Sequence, residues 1–139
     1  MPTYDDGNIF AKILRNEIPN FTIYEDDDIL VMMDVMPMSD GHCLVLPKSP
    51  SRNLLDADVV TLQKVLPLVQ KIANATKKAM NADGIILQQF NEAPAGQSVF
   101  HLHFHIIPAY EGKKLLRHSD KMADSEMLAK QARAIANEL

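Results

Sequence analysis

The chain has one cysteine, Cys43, and no tryptophan. A single thiol rules out an intrachain disulfide and any multi-cysteine zinc site, and it fits a reducing compartment. Glycine is scarce, at five residues in 139. No internal repeat and no Gly/Ser linker interrupts the sequence, so one domain over residues 1–139 is expected. No stretch approaches the roughly 18 apolar residues that span a bilayer. The opening segment carries Asp5 and Asp6 rather than a basic region followed by an apolar run, so a secretory leader is not expected. These features predict a cytoplasmic protein with no membrane partner. An excess of basic charge is also missing: 14 Lys and Arg stand against 18 Asp and Glu, a formal charge of −4. Binding to nucleic acid by counterion release is therefore not expected, although a small anion could still sit in a local His-rich pocket.

What is present is ordinary for a globular chain: 47% apolar and 23% charged residues, with enough length to bury a sizeable core. Asn8 can cap a short helix over Ile9 to Arg15, closed by Pro19. Phe21 to Glu25 and Ile29 to Asp34 read as strands joined by the acidic turn Asp26-Asp27-Asp28, which is a solvated turn rather than a metal site. A loop holding Pro37, Ser39, Asp40 and Gly41 leads to a strand over His42 to Leu46. In that strand His42, Leu44 and Leu46 share one face, while Cys43 and Val45 share the other. Asp56 is placed to cap a long helix whose stripe runs through Val59, Leu62, Leu66, Val69, Ala73, Thr76 and Met80. Pro67 lies off that stripe and predicts a solvent-side kink without a break. Strands over Gly84 to Phe90 and Val99 to Ile107 flank a loop over Asn91 to Ser98. A last helix from about Asp124 carries Leu128, Ala132, Ile135 and Leu139. Short connections favour antiparallel pairing, so the class is α+β. His118, in a charged tail, is expected to be solvated.

The informative segment is His101-Leu-His-Phe-His-Ile-Ile107, which holds three of the five histidines. In a strand, alternate side chains share a face at a spacing of about 6.6–6.8 Å, so His101, His103 and His105 would line one face and Leu102, Phe104 and Ile106 the other. Two chemistries compete for such a set. Imidazoles ligate zinc, copper or iron, but strand spacing is wide for one ion and no Asp or Glu lies in the strand. Neutral imidazole is also a nucleophile near pH 7, and a neighbouring ring can hold phosphate oxygens or protonate a leaving group. The upstream Gly96-Gln97-Ser98 offers backbone N–H groups and a hydroxyl, which favours phosphoryl chemistry.

The run matches the His-φ-His-φ-His-φ-φ signature and resembles the histidine triad (HIT) family of nucleotide hydrolases and transferases. The segment Asn8 to Pro19, the block Asp34, Pro37, Gly41-His42 and Leu44 to Lys48, and Gly96 to His101 are similar to the Hint branch of that family. The resemblance covers about residues 8–110, leaving 111–139 as a C-terminal tail and helix. It implies a HIT-like fold: a five-stranded antiparallel sheet with one long helix and short N- and C-terminal helices, dimerising into a ten-stranded sheet. It implies hydrolysis of purine nucleoside 5′-phosphoramidates of the adenosine 5′-phosphoramidate type through a nucleotidyl-histidine intermediate, with no cofactor. The same resemblance makes His103 the nucleophile on the α-phosphate, His105 and Ser98 donors to phosphate and to the departing amine, and His101 and His42 supports for the triad. It also implies that Asn91 and Gln97 contact phosphate, that Asp34 accepts from the ribose hydroxyls, and that Ile9, Phe10, Ile18 and Leu44 wall the base.

Two departures from the family pattern stand out. Many bacterial relatives bind zinc through a Cys-x-x-Cys pair, a histidine after Pro-Lys, and the first triad histidine. Here those places resemble Asn8, Ala11 and Pro50, so only His101 remains and no zinc is expected. The loop from Asn91 to Gly96 is also about one residue short. Two other readings stand beside the phosphoramidase: a dinucleoside polyphosphate hydrolase of the Fhit type, and a non-enzymatic nucleotide-binding or interaction module.

Overall fold

Strands β2 (Ile29–Met33) and β3 (Cys43–Pro47) are buried along their whole length, and the two-residue period of a strand sorts their side chains into two cores. Ile29, Val31, Met33, Cys43 and Val45 face one side, packed with Val65, Val69 and Ile72 of helix α2 (Val59–Ala79) and with Leu128, Ala132 and Ile135 of helix α3 (Ser125–Ala136). Leu30, Met32, Leu44 and Leu46 face the other side, against Phe10 and Ile13 of helix α1 (Ile9–Leu14). This second side carries the site. Cys43 belongs to the first core, where burial pushes its thiol up to about 12, so it packs as a neutral apolar group.

The computed structural model describes residues 2–117 and 121–139; the expectation for His118 lies outside the described residues. Strands β1 (Thr22–Glu25), β4 (Gly84–Gln88) and β5 (Phe104–Ala109) complete a five-stranded sheet in the order β1-β2-β3-β5-β4, with every neighbouring pair antiparallel. The α+β fold of the resemblance is the observed one. Among the described residues no helix is long and apolar enough to cross a membrane.

Local chemistry sets the element ends. The Asn8 side chain accepts from Ala11 N–H and caps α1. In the acidic turn, the Asp26 carboxylate accepts from the N–H groups of Asp28 and Ile29 and closes the β1–β2 hairpin. The cap of α2 is Asp58, whose carboxylate accepts from Thr61 N–H. The expected cap, Asp56, instead forms a reciprocal pair with Asn53 around a single 3₁₀ turn over Leu54–Asp56.

The buried stripe of α2 also differs from the expected one. Val65, Val69, Ile72, Ala75 and Thr76 are buried, whereas Val59 and Leu66 are exposed. The two stripes share Val69 and Thr76 and differ by a small rotation about the axis. Pro67 is exposed and α2 continues through it.

The last strand differs most. It begins at Phe104 instead of Val99, and it passes through Pro108 to Ala109. Upstream of Phe104, Leu102 N–H bonds Ser51 O, outside the ladder. Pro108 is tolerated because its register with β3 has ended at Ile106. Its carbonyl accepts from Ser39 Oγ on that side, where no ladder donor is required.

Candidate active site

Because the strand starts late, the three histidines do not form one regular row. His105 lies within β5, opposite Leu44 of β3 and Gln88 of β4. His103 stands just before the strand, its ring centroid 5.0 Å from that of His105. His101 turns away into the protein and is fully buried. There its Nε2 lies 2.7 Å from Pro47 O and its Nδ1 lies 2.6 Å from the Tyr4 hydroxyl. A carbonyl can only accept, so the proton of His101 is on Nε2. Burial pushes this imidazole below its ordinary range, against the opposing pull of the Pro47 carbonyl, and keeps it neutral.

The same logic fixes His103. Its Nδ1 lies 2.6 Å from the backbone oxygen of His101, so Nδ1 carries the proton and the neutral ring has its lone pair on Nε2. Phe10 packs edge-on against this ring, with centroids 4.8 Å apart at 90°.

His105 has the opposite arrangement. Met38 N–H donates to His42 Nδ1 at 3.0 Å, which puts the proton of neutral His42 on Nε2. That nitrogen lies 2.9 Å from His105 Nδ1, which therefore accepts, leaving the proton of neutral His105 on Nε2. Asp34 is buried beside this pair: its Oδ1 accepts from Met36 N–H at 2.8 Å, and its Oδ2 lies 3.4 Å from His42 Nε2 and 3.9 Å from His105 Nδ1. Neighbouring imidazoles thus present a lone pair and an N–H respectively.

The loop before the triad is held from below. The Arg52 guanidinium makes a two-pronged contact with Glu92, at 2.8 and 3.0 Å, and lies 4.1 Å over the Phe100 ring. Asn53 Nδ2 donates to Glu92 and to Gln97 Oε1. The buried Gln97 amide is engaged at both ends: Oε1 also accepts from Glu92 N–H, and Nε2 donates to the carbonyls of Arg52 and Val99. This network holds Glu92 in the left-handed region at φ 76° and turns the chain at Gly96, φ 107°. Asn91 accepts from Leu54 N–H and exchanges hydrogen bonds with Gln89.

A cleft of about 330 Å³ opens beside this loop, lined by Met38, Gln88, Phe90, Gly96, Gln97, Ser98, His103 and His105. Of the residues expected at the site, Gln97, Ser98, His103 and His105 meet there. His101, His42 and Asp34 sit behind them as supports. Phe10, Ile18 and Leu44 come together in the second core, on the Phe10 side of His103, whereas Ile9 lies outside that core and is 47% exposed. Sequence reading missed Met38, Gln88, Phe90, Arg52, Glu92 and Tyr4. Only Gln88 had a usable signal, as a polar residue ending an apolar strand.

Two metal sets can be weighed. Asp34, His42 and His105 have ligand atoms within 4.8 Å of one another. The two ring nitrogens, however, are 2.9 Å apart in a direct hydrogen bond, closer than the roughly 3.3 Å separating two nitrogens on one tetrahedral zinc. The zinc set of the resemblance does not fit either: Asn8, Ala11 and Pro50 bring no thiolate or imidazole, and both His101 nitrogens are already bonded.

The HIT domain family matches residues 15–112. The chain is similar over 99% of its length to the whole of a solved Hit-like protein from Bartonella henselae, described as involved in cell-cycle regulation, with 54% identity and a TM-score of 0.92. A solved hypothetical histidine triad nucleotide-binding protein from Sulfolobus tokodaii is 34% identical, with a TM-score of 0.86 over 93% of this chain and 89% of that one. Adenylylsulfatase HINT3 of Arabidopsis thaliana is 37% identical over 126 residues, covering 86% of this chain and 64% of the plant protein.

Proposed function

The chain belongs to the HIT domain family, and from that premise we propose that it hydrolyses purine nucleoside 5′-phosphoramidates through a nucleotidyl-histidine intermediate. The observation that carries this reading is the pair of opposite tautomers: His103 with its lone pair on Nε2, and His105 with its proton on Nε2, with ring centroids 5.0 Å apart beside the cleft. One ring can attack phosphorus while its neighbour donates to phosphate oxygen.

In the first step the His103 Nε2 lone pair forms a bond to the α-phosphorus and the P–N bond breaks. The departing electron pair stays on nitrogen, which takes a proton from the Ser98 and His105 donors and leaves as neutral amine. The Nδ1–H bond to the His101 carbonyl stabilises the positive charge the phosphorylated ring acquires. Water then attacks phosphorus, its proton restores the donor, and His103 departs with its electron pair, leaving the monophosphate. Phe10, Ile18 and Leu44 supply an apolar wall for the purine, with Ile9 at its rim. Asp34, buried behind the cleft, braces the His42–His105 pair, and the loop from Asn91 to Ser98 meets the phosphate.

The name of the plant relative denotes cleavage of sulfate from an adenylyl group, and attack at the same phosphorus would serve that substrate too. We also infer a cytoplasmic symmetric homodimer: β4 is an edge strand with Leu87 half exposed, and Val59, Val60 and Leu66 of α2 are exposed. The reading is tested by a turnover panel of adenosine and guanosine phosphoramidates, adenylyl sulfate, an acyl-adenylate and a dinucleoside polyphosphate, with wild type and His103→Ala in parallel. Fastest turnover is expected on the phosphoramidates, with loss in the variant. Preference for the dinucleoside polyphosphate would select the Fhit-type activity instead, and absence of all turnover with retained AMP binding would select a binding module.

A further inference from the structure

We propose that Tyr4 is a positioning residue for the nucleophile: its hydroxyl locks the His101 ring, and through the His101 carbonyl it sets the tautomer and aim of His103. This rests on the reading of His103 as the attacking group.

Residues 101–103 precede β5, so no strand ladder holds them. Their backbone has the Leu102 N–H bond to Ser51 O as its anchor to the neighbouring segment. The carbonyl that fixes His103 belongs to His101, and the His101 ring is the other handle on that peptide. The ring is held at both nitrogens, by Pro47 O at 2.7 Å and by the Tyr4 hydroxyl at 2.6 Å.

Hydrogen-bond bookkeeping gives the direction of the Tyr4 contact. Asn8 Nδ2 donates to the Tyr4 oxygen at 3.0 Å, so the hydroxyl's own proton is directed elsewhere. His101 Nδ1 carries no proton, since the proton is on Nε2, and it receives that hydroxyl proton. The chain of donors therefore runs from Asn8 to Tyr4 to His101, and a second contact runs from His103 Nδ1–H to the His101 carbonyl. Tyr4 is itself well seated: its ring meets the His101 ring edge-on at 5.7 Å, and Asn8 is tied down by a bond to Asp5 O and by its capping of α1. Removing the hydroxyl leaves a buried acceptor on His101 without its donor, which loosens the ring from one side. The His101 carbonyl then holds His103 less firmly, and the alternative His103 tautomer, with its lone pair on Nδ1 instead of Nε2, becomes populated.

The experiment uses the full chain with Tyr4→Phe and Asn8→Asp. The first deletes the hydroxyl. The second keeps a good helix cap but replaces a donor by an acceptor that competes for the hydroxyl proton. Steady-state turnover of an adenosine phosphoramidate is measured beside ¹⁵N spectra that distinguish histidine tautomers. Wild type is expected to show His101 protonated on Nε2 and His103 on Nδ1. Both variants are expected to lose tenfold or more in kcat with KM within twofold, and to show a mixed tautomer at His103. Unchanged kcat and spectra in both variants would overturn the proposal, as would a fall in kcat with the His103 signals unmoved. The failure of the underlying reading looks different: wild type would then turn over no nucleotide, while the spectra would still report whether Tyr4 controls His103.

Discussion

The Nδ1 atom of His103 lies 2.6 Å from the backbone oxygen of His101. That contact turns a main-chain carbonyl into the group that orients the nucleophile. Carboxylates often orient catalytic histidines, and a buried carboxylate adds a charge. A carbonyl fixes the tautomer without one, so that the lone pair of the neutral ring sits on Nε2, the nitrogen proposed to attack.

The first prediction follows from this division between attack and binding. His103→Ala is expected to abolish turnover while leaving AMP affinity within about tenfold, or ~1.4 kcal/mol. A nucleophile acts mainly in the transition state, whereas the apolar wall acts on the ground state. Calorimetric titration with AMP beside a turnover assay checks it. Full activity in the variant, with loss of all activity in His105→Ala, would move the nucleophile to His105.

How far the site could be read from the sequence depends on the kind of signal each residue leaves. In the strand after the Pro37–Gly41 loop, the period-two pattern puts Leu44 and Leu46 on one face and Cys43 and Val45 on the other, and the two cores divide them in that way. The buried face of α2 was less legible. Leu66 and Val65 are equally apolar, and which of them meets the sheet is decided by how the helix is rotated on it, not by its own periodicity. The inward turn of His101 was hidden for a related reason: an alternating His-Leu-His pattern looks like strand wherever the ladder actually begins. Tyr4 was invisible because a lone aromatic outside any periodic segment carries no pattern, and its role depends on a partner 97 positions away.

The second prediction concerns metal. Protein purified without added metal is expected to contain no stoichiometric zinc by elemental analysis, and its activity is expected to survive EDTA. The reason is the donor set: His101 uses Nε2 on the Pro47 carbonyl and Nδ1 on Tyr4, and Asn8 is committed to Tyr4 and to its helix cap. One zinc per chain, or activity lost in EDTA and restored by metal, would contradict this.

The third prediction is a pH dependence of stability. Burial holds the pKa of His101 below that of the same group in the unfolded chain. As pH falls below the unfolded value of about 6.5, the unfolded state takes up a proton the native state refuses. The unfolded state then binds more protons, so native stability decreases with acidification and is regained above that value. Thermal melts are expected to show a lower Tm at pH 5.5 than at pH 7.5. Part of this difference should disappear in His101→Gln, which cannot take up that proton. An equal acid shift in wild type and variant would remove His101 as a source.

The last prediction separates proton donation from attack. Ser98 is exposed on the rim of the cleft that also holds His103 and His105. An amine leaves phosphorus poorly unless it is protonated as the bond breaks, whereas a carboxylate or sulfate leaves readily as an anion. Removing a donor therefore costs most where the leaving group needs it most. Ser98→Ala is expected to lower kcat/KM by a larger factor for an alkyl phosphoramidate than for an acyl-adenylate of the same nucleoside. The contrast between the two substrates carries the test, because any general loosening of the loop from Asn91 to Ser98 would slow both alike. Among the described residues that loop is anchored through Arg52, Asn53 and the Gln97 side chain, so the substitution should leave its path intact. Equal losses on both substrates would reduce Ser98 to a phosphate contact and leave His105 Nε2–H as the donor to the departing amine.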